Sequence, residues 1–392
     1  MKTRIRIAIM SNDGRLPVLV DDRMQPLHLP LRYVMDGLYL NEAWRSIENR
    51  LKVIGFLYRF FSRQGVDLDE RFRGATVFGI DELKRFFLWL EIKDRENPAI
   101  DPVITDLVAK ETFNNYVSYV GDYVAWAVLH YRGRYDTGPR RGEAAAKDAE
   151  TIRNLILQNC RSGKSQKRQS GLTEEQERRL IEIIRPGHPD NPFRPSKQFA
   201  NGVLIRFLLE TGVRAGEQMY MRVSDMDLWG TSPEVRVEQR ENYGKEPRRR
   251  APSVKTYDRI LPISPNLAKD MAVYERKIRG SVRHPYVFVT PRDRQPIGER
   301  NFSRIFEALT KRLSFRVHAH KLRHTYFDRI LRYGTKMIEE KDPEKKEIIL
   351  NNHLKYLGGW SRRSAMPAHY TKGEAANQAR AIHRQHLEAL YK

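Results

Sequence analysis

The chain has 392 residues, enough for two domains, and a hydrophobic content of 40% supports ordinary folded cores. Lysine and arginine number 71 against 49 acidic residues, and the formal net charge of +22 favours a polyanionic partner, because each neutralised phosphate releases condensed counterions. No run reaches the roughly 18 apolar residues of a membrane span, the N-terminal MKTRIRIAIMSNDG lacks a signal-peptide core, and the single cysteine, Cys160, excludes an intrachain disulfide and a cysteine metal cluster, so a reducing cytoplasm fits.

Residues 3–20 alternate loosely around the turn signal Asn12-Asp13-Gly14 and predict a short β-hairpin. From Trp44 the period changes. Trp44, Ile47, Leu51, Ile54, Tyr58 and Phe61 recur at three and four, and Gly65 follows as a C-cap signal. On this amphipathic helix Arg45, Lys52, Arg59 and Arg63 lie largely off the apolar stripe. They could meet a DNA backbone, although charged outer faces are usual on any soluble helix. Further helices are expected over Asp81–Glu91, Phe113–Tyr131 and Ala144–Leu157, giving a compact bundle of four or five. Arg161–Ser170, RSGKSQKRQS, holds no apolar residue and reads as a linker, free or lying along a duplex.

A second start follows at Leu172-Thr173-Glu174-Glu175-Gln176, where Thr173 and Gln176 have capping-box spacing. That helix ends before Pro186. The next carries Phe199, Val203, Leu204, Phe207 and Leu208 on one side and stops at Thr211-Gly212. Glu234–Ser264 reads as strand, basic loop, strand, with Val235 and Val237 alternating with charges and Ile260-Leu261-Pro262 closing the second arm. The remainder is mostly helical. Tyr326 and Tyr356 fit packed positions, and Tyr391 lies at the end.

The richest stretch is VHAHKLRHTYFDRI, residues 317–330. Residues three and four apart share a helix face, so His320, Arg323 and His324 point the same way, close to His318. A guanidinium beside an imidazole repels it unless an anion lies between, and a phosphate matches the guanidinium fork. A solvated surface face would look similar. His320 and His324 also have zinc-helix spacing, but Lys321 stands where that pattern wants an acid. Three other patches fit phosphate chemistry. In TGVRAGE, residues 211–217, Arg214 follows a helix-ending glycine, and Glu217 is either its plain ion-pair partner or its orienting group. Lys255-Thr256 sits near Arg248, Arg249 and Arg250 in the basic hairpin, with Lys245 as a rival lysine. Last comes LGGWSRRSAMPAHYTK, with Trp360 and Tyr370.

These four patches, in this order, resemble the tyrosine recombinase (phage integrase) family. TGVRAGE resembles its first arginine motif, HKLRHTY its His-x-x-Arg motif, KTYDRILPI its lysine hairpin, and LGGW…HYTK the final segment with the nucleophilic tyrosine. The likeness runs over about residues 171–385, and the helical region before it is similar to the family's core-binding domain. The resemblance implies a fold that is mainly α with a small β-sheet or hairpin: a short N-terminal β segment over 1–25, a helical core-binding (SAM-like) DNA-binding domain over 26–160, a linker over 161–170, and a mixed α/β catalytic domain over 171–392. Together these would form a C-shaped DNA clamp.

Carried over residue by residue, the resemblance gives Arg214 and Arg323 the scissile phosphate, Lys255 the protonation of the leaving 5′-oxygen, His320 acid/base work, Trp360 a buttress and Tyr370 the attack. Glu217 and His324 would support them, and Lys245, Arg248, Arg249, Arg250, Arg45, Lys52 and Arg59 would meet DNA. The family's Leu-Gly-His becomes Leu357-Gly358-Gly359-Trp360 here, one residue further from the tyrosine, so Gly359 competes with Trp360 for that position. A fixed pair of guanidiniums can neutralise a phosphodiester transition state without metal, and a covalent phosphotyrosine conserves the bond energy without ATP. No P-loop or acidic metal cluster stands out in the sequence. The expected protein is a site-specific DNA recombinase or integrase (integration, excision or transposition) without metal or other cofactor. It would be cytoplasmic, bacterial and nucleoid-associated, and would form a homo-tetramer on paired double-stranded DNA sites. An amphipathic segment over Glu374–Tyr391 would be exchanged between protomers or packed on its own domain. A type IB topoisomerase-like relaxing enzyme and a decayed DNA-binding accessory protein are the rival readings.

Overall fold

The computed structural model describes residues 1–11, 14–74, 77–93, 106–134, 139–163, 170–239, 246, 248 and 256–367. The chain divides into two compact units, Met1–Lys167 and Arg168–Lys392.

In the first unit β1 (Arg4–Ile9) pairs antiparallel with β2 (Arg15–Val20), with Arg4 opposite Val20 and Ile9 opposite Arg15. The predicted hairpin is therefore present, while its turn at Asn12-Asp13 lies outside the described residues. Leu16, Leu19 and Val20 face inward. A short α1 (His28–Tyr33) runs into one π-helical turn, Val34–Leu38. The long α2 (Trp44–Ser62) buries the expected apolar stripe from Ile47 to Phe61, with Trp44 half-buried, and Gly65, three residues past its end, takes φ +71°. Gly55 in its middle has a steric reason: a Cβ there would meet Thr3 Oγ1 at 2.8 Å and Leu19 at 3.1 Å, so the hairpin rests directly on the helix. Helices α3 (Leu68–Arg73), α4 (Ile80–Glu91), α5 (Lys110–Arg134) and α6 (Pro139–Leu157) complete the bundle. Its core is aromatic, built on Phe61, Phe72, Phe86, Phe113 and Tyr123. The buried Tyr hydroxyls are paired: Tyr58 donates to Asp69 at 2.6 Å and lies 2.8 Å from Tyr123. Sequence periodicity misses α1 and α3, each too short to complete two helical turns of pattern.

In the second unit Thr173 and Gln176 form the capping box of α7 (Glu174–Ile183). Then follow α8 (Pro195–Thr211), α9 (Ala215–Tyr220), α10 (Pro265–Val273), α11 (Glu299–Arg312), α12 (Ala319–Met337) and α13 (Pro343–Gly358). An antiparallel sheet in the order β3 (Met226–Asp227), β4 (Glu234–Val237), β5 (Arg259–Pro262) sits among them. Here β4 and β5 are the two predicted arms, and the two-residue β3 is an addition. The core gathers Leu180, Ile205, Phe207, Leu208, Val235, Leu261, Phe288, Leu309 and Leu322. Helix α12 packs on α8 and α13, and α13 touches β5. The expected mainly helical architecture with small antiparallel sheets is what the chain adopts. Tyr356 corrects the sequence reading. It is 54% exposed, not packed in the core. It lies over the outward edge of β5, where its hydroxyl accepts from Ile260 N at 3.2 Å.

Candidate active site

The site forms where three helix ends meet. Gly212 ends α8 in the left-handed region at φ +61°. A Cβ there would lie 2.2 Å from the Tyr326 ring, so only glycine lets α12 come this close. The chain turns and begins α9 with Arg214 as its N-cap residue, whose N–H donates to Glu217 at 2.8 Å. At the far end of the unit, α13 closes on Gly358 and on Gly359, again left-handed at φ +59°.

From α12, Arg323 reaches both turns. Its guanidinium donates to Gly212 O at 2.6 Å and to Gly358 O at 3.0 Å. It lies over the rings of Phe327 and Trp360, at 4.8 and 5.2 Å, and its residue is 1% exposed. Arg214 Nη1 donates to the same Gly358 O at 3.3 Å and to Glu217 Oε1 at 3.4 Å, yet 35% of this side chain stays open. Phe327 packs against Trp360 at 4.9 Å, so Trp360, not Gly359, presents a side chain to Arg323, while Gly359 supplies the turn.

Glu217 is buried among three guanidiniums. Burial pushes its carboxyl up, but the Arg259 guanidinium, Arg323 and the Thr256 hydroxyl outweigh it and hold it below the usual carboxylate range. It accepts from Arg259 Nη2 at 2.7 Å and from Thr256 Oγ1. One negative charge thus sits among three positive ones within the described residues, and the open side of the excess is at Arg214.

His318 caps α12, accepting from Lys321 N at 3.1 Å. His320 opens to solvent at the rim, and its ring meets His324 edge to face at 4.5 Å. Burial first, then Arg323, His318 and Arg214, lower its pKa from the ordinary value, so the neutral form is favoured near pH 7. The first residues of the unit are pinned beneath α12: Leu172 N donates to Thr325 Oγ1 at 2.8 Å and Gly171 N to Asp328 at 3.1 Å. Tyr326 is buried and its hydroxyl is pushed up by burial, the opposite of what a nucleophile needs.

The structure therefore brings Arg214, Glu217, His320, Arg323, His324 and Trp360 together. Lys245, Arg249, Arg250, Lys255, Tyr370 and the segment from Glu374 to Tyr391 lie outside the described residues. Arg248, read from the sequence as a DNA contact, is turned inward. Its guanidinium binds Glu246 at 2.6 Å and the Met219 and Ile297 carbonyls at 2.7 and 3.2 Å, and covers Tyr286. These partners leave little open face on Arg248, which is buried. In the first unit Lys52 is exposed, Arg45 lies over Trp44, and Arg59 lies over Phe56. Sequence reasoning missed Arg259. The signal was available: Arg259 shares the inward register of β5 with Leu261, an arginine on a buried strand face. Among the described residues no group of three His, Cys, Asp or Glu side chains is arranged to hold a metal, and no helix is long and apolar enough to cross a membrane.

Residues 171–341 match the model described as the phage integrase family. A tyrosine recombinase XerC from Staphylococcus saprophyticus is 27% identical over 142 residues, 35% of this chain and 42% of the relative, so the match spans less than half of that protein's length. Among solved structures, XerH site-specific recombinase bound to palindromic difH substrate, a post-cleavage complex, has a TM-score of 0.53 at 14% identity, covering 91% of this chain and 84% of that one. The pre-cleavage complex of XerH with difH gives 0.50 at 13% identity, covering 84% and 76%. At such identities the likeness concerns the fold. The likeness in fold covers 91% of this chain for the post-cleavage complex and 84% for the pre-cleavage complex. Residues 171–341 are thus similar to the phage integrase family.

Proposed function

We propose that the protein is a site-specific DNA recombinase that cuts and rejoins strands through a 3′-phosphotyrosine. The observation that carries this reading is the charge imbalance around Glu217, open to solvent at Arg214 and His320. A phosphodiester transition state carries extra negative charge on its non-bridging oxygens, and preorganised guanidiniums stabilise that charge more than they stabilise the ground state. Arg323, held rigidly by two carbonyls and two rings, fixes the field. Arg214, more open, binds an oxygen. Neutral His320 accepts the proton of the attacking hydroxyl.

In the proposed step the Tyr370 oxygen bonds to phosphorus and the bond to the 5′-oxygen breaks, with Lys255 donating the proton that makes a 5′-hydroxyl. A 5′-hydroxyl from a second duplex then attacks the phosphotyrosine and releases the tyrosine. Bond count and charge balance without ATP, and the reading assigns no metal to the reaction. The same proposal takes double-stranded DNA with paired sites as substrate, a tetramer as the working assembly, and the basic side of α2 as a backbone contact. Its setting would be the cytoplasm of a bacterium, at the nucleoid.

The test is a pool of randomised duplexes carrying a nick, from which the short cleaved strand diffuses away and traps the covalent complex. With EDTA present the wild type is expected to form a denaturation-resistant adduct. Arg214→Ala should lower its rate by about 10²–10³-fold while gel-shift affinity changes by less than about threefold. Equal losses in both would reduce Arg214 to a backbone contact and contradict the reading.

A further inference from the structure

Arg259 does not reach solvent, its side chain being 0% exposed, so it touches no substrate. Its donors are nonetheless spent on three different elements. Nε donates to Leu357 O at 2.9 Å, at the end of α13. Nη1 donates to Thr256 Oγ1 at 3.2 Å and to Tyr257 O at 3.4 Å, before β5. Nη2 donates to Glu217 Oε2 at 2.7 Å, on α9.

We propose that Arg259 is a positioning residue, which locks the Glu217 carboxylate, and through it the Arg214 guanidinium, to the turn that ends α13. The proposal rests on the recombinase reading of the site.

Three observations support it. Glu217 is held from every side: Oε1 accepts from Thr256 and Arg214 Nη1, and Oε2 from Arg259 and the Arg214 backbone N–H. A carboxylate held at both oxygens cannot rotate, and its orientation decides where Arg214 lies. Second, the approach of Arg259 is bought with a glycine. A Cβ on Gly359 would sit 2.7 Å from Arg259 Nη1 and 2.8 Å from Thr256 Cβ. Tyr257 N also donates to Gly359 O at 3.1 Å, so the strand and the turn are joined on both sides of the guanidinium. Third, a buried ion pair is a poor device for stability, since an apolar pair of similar volume does as well or better. What it offers is direction. The chain of contacts runs from Arg259 to Glu217, to Arg214, to Gly358 O and to Arg323, all of it within the second unit.

Without Arg259, the Glu217 carboxylate would be free to turn, and its hold on the direction of Arg214 would weaken further once it is protonated. The charged groups facing Glu217 would then be Arg214 from α9 and Arg323 from α12. With one guanidinium fewer its carboxyl would rise from its lowered value and take up a proton more readily as pH falls.

The experiment is a double-mutant cycle on the rate of adduct formation with the nicked duplex pool, using wild type, Arg259→Met, Glu217→Gln and the double variant, with duplex affinity and melting temperature measured in parallel. Arg259→Met is expected to lose on the order of 100-fold in rate with duplex affinity kept, and the double variant to be no slower than the slower single variant. The Arg259→Met rate should climb with pH more steeply than the wild type, and the double variant should lose that extra climb. If Arg259→Met does not fold, the cycle is run with Arg259→Lys, which keeps the charge and should retain part of the rate. Independent, multiplying losses, or an Arg259→Met pH profile identical to wild type, would overturn the positioning role while leaving the recombinase reading intact. A wild type that forms no adduct would overturn both.

Discussion

In the proposed reaction Arg214 and Arg323 would divide one task according to their burial. Arg323 is a buried charge held between two backbone carbonyls and two ring faces. Replacing it would strand the Gly212 carbonyl inside the protein and take one of two donors from Gly358 O, so Arg323→Ala would lose fold and chemistry together. Arg214, with 35% of its side chain open, is the cleaner probe. His320 yields a pH prediction. Its folded pKa is lowered, by burial first and then by Arg323, His318 and Arg214, so its neutral, proton-accepting form persists to lower pH than in a free histidine. The acid limb of the adduct rate should therefore fall below about pH 6.5, the ordinary histidine value, and His320→Asn should abolish that limb. A limb centred above that value in the wild type would show that His320 is not the group being titrated.

At the scale of elements, the site depends on turns that glycine alone permits. Gly359→Ala would place a methyl against Arg259 and Thr256 on a backbone at φ +59°. It should cost about 1–3 kcal/mol, seen as a lower denaturation midpoint at unchanged m-value, and should slow adduct formation as well. A midpoint within about 0.3 kcal/mol of wild type would mean that the turn tolerates a side chain. Much of this was legible in the sequence. The period of α2, the Thr173 cap of α7, the glycine stop at Gly212 and the strands around the basic loop all follow from local pattern, because each signal is complete within a few residues. Arg323, Arg214 and Trp360 were marked by motif, and the structure does bring them together. What local pattern could not give was long-range. Arg248 turns inward because Glu246, Tyr286 and two carbonyls from other elements receive it. Tyr356 has helical spacing that suits a core, yet the partner it finds is the edge of β5. Arg259 reads as one more charge in a basic loop until Glu217, 42 residues away in sequence, is found beside it.

At the scale of the whole molecule, the excess of 22 positive charges sets the terms of association. If the duplex is gripped through six or more phosphates, affinity should fall by about 10³-fold or more between 50 and 200 mM salt. The rate of adduct formation from bound duplex should change little, because the charges around Glu217 are shielded from bulk ions. Salt that slowed the bound complex as much as it weakened binding would contradict a preorganised site. The central claim, that a rigid cluster of positive charge lets residue 370 exchange places with a sugar oxygen on phosphorus, is tested most directly by mapping the trapped complex. After digestion of the wild-type adduct formed in EDTA, the nucleotide should be found on the peptide bearing Tyr370, and Tyr370→Phe should bind duplex normally and trap none. A nucleotide attached elsewhere, or an adduct that survives in Tyr370→Phe, would contradict the account.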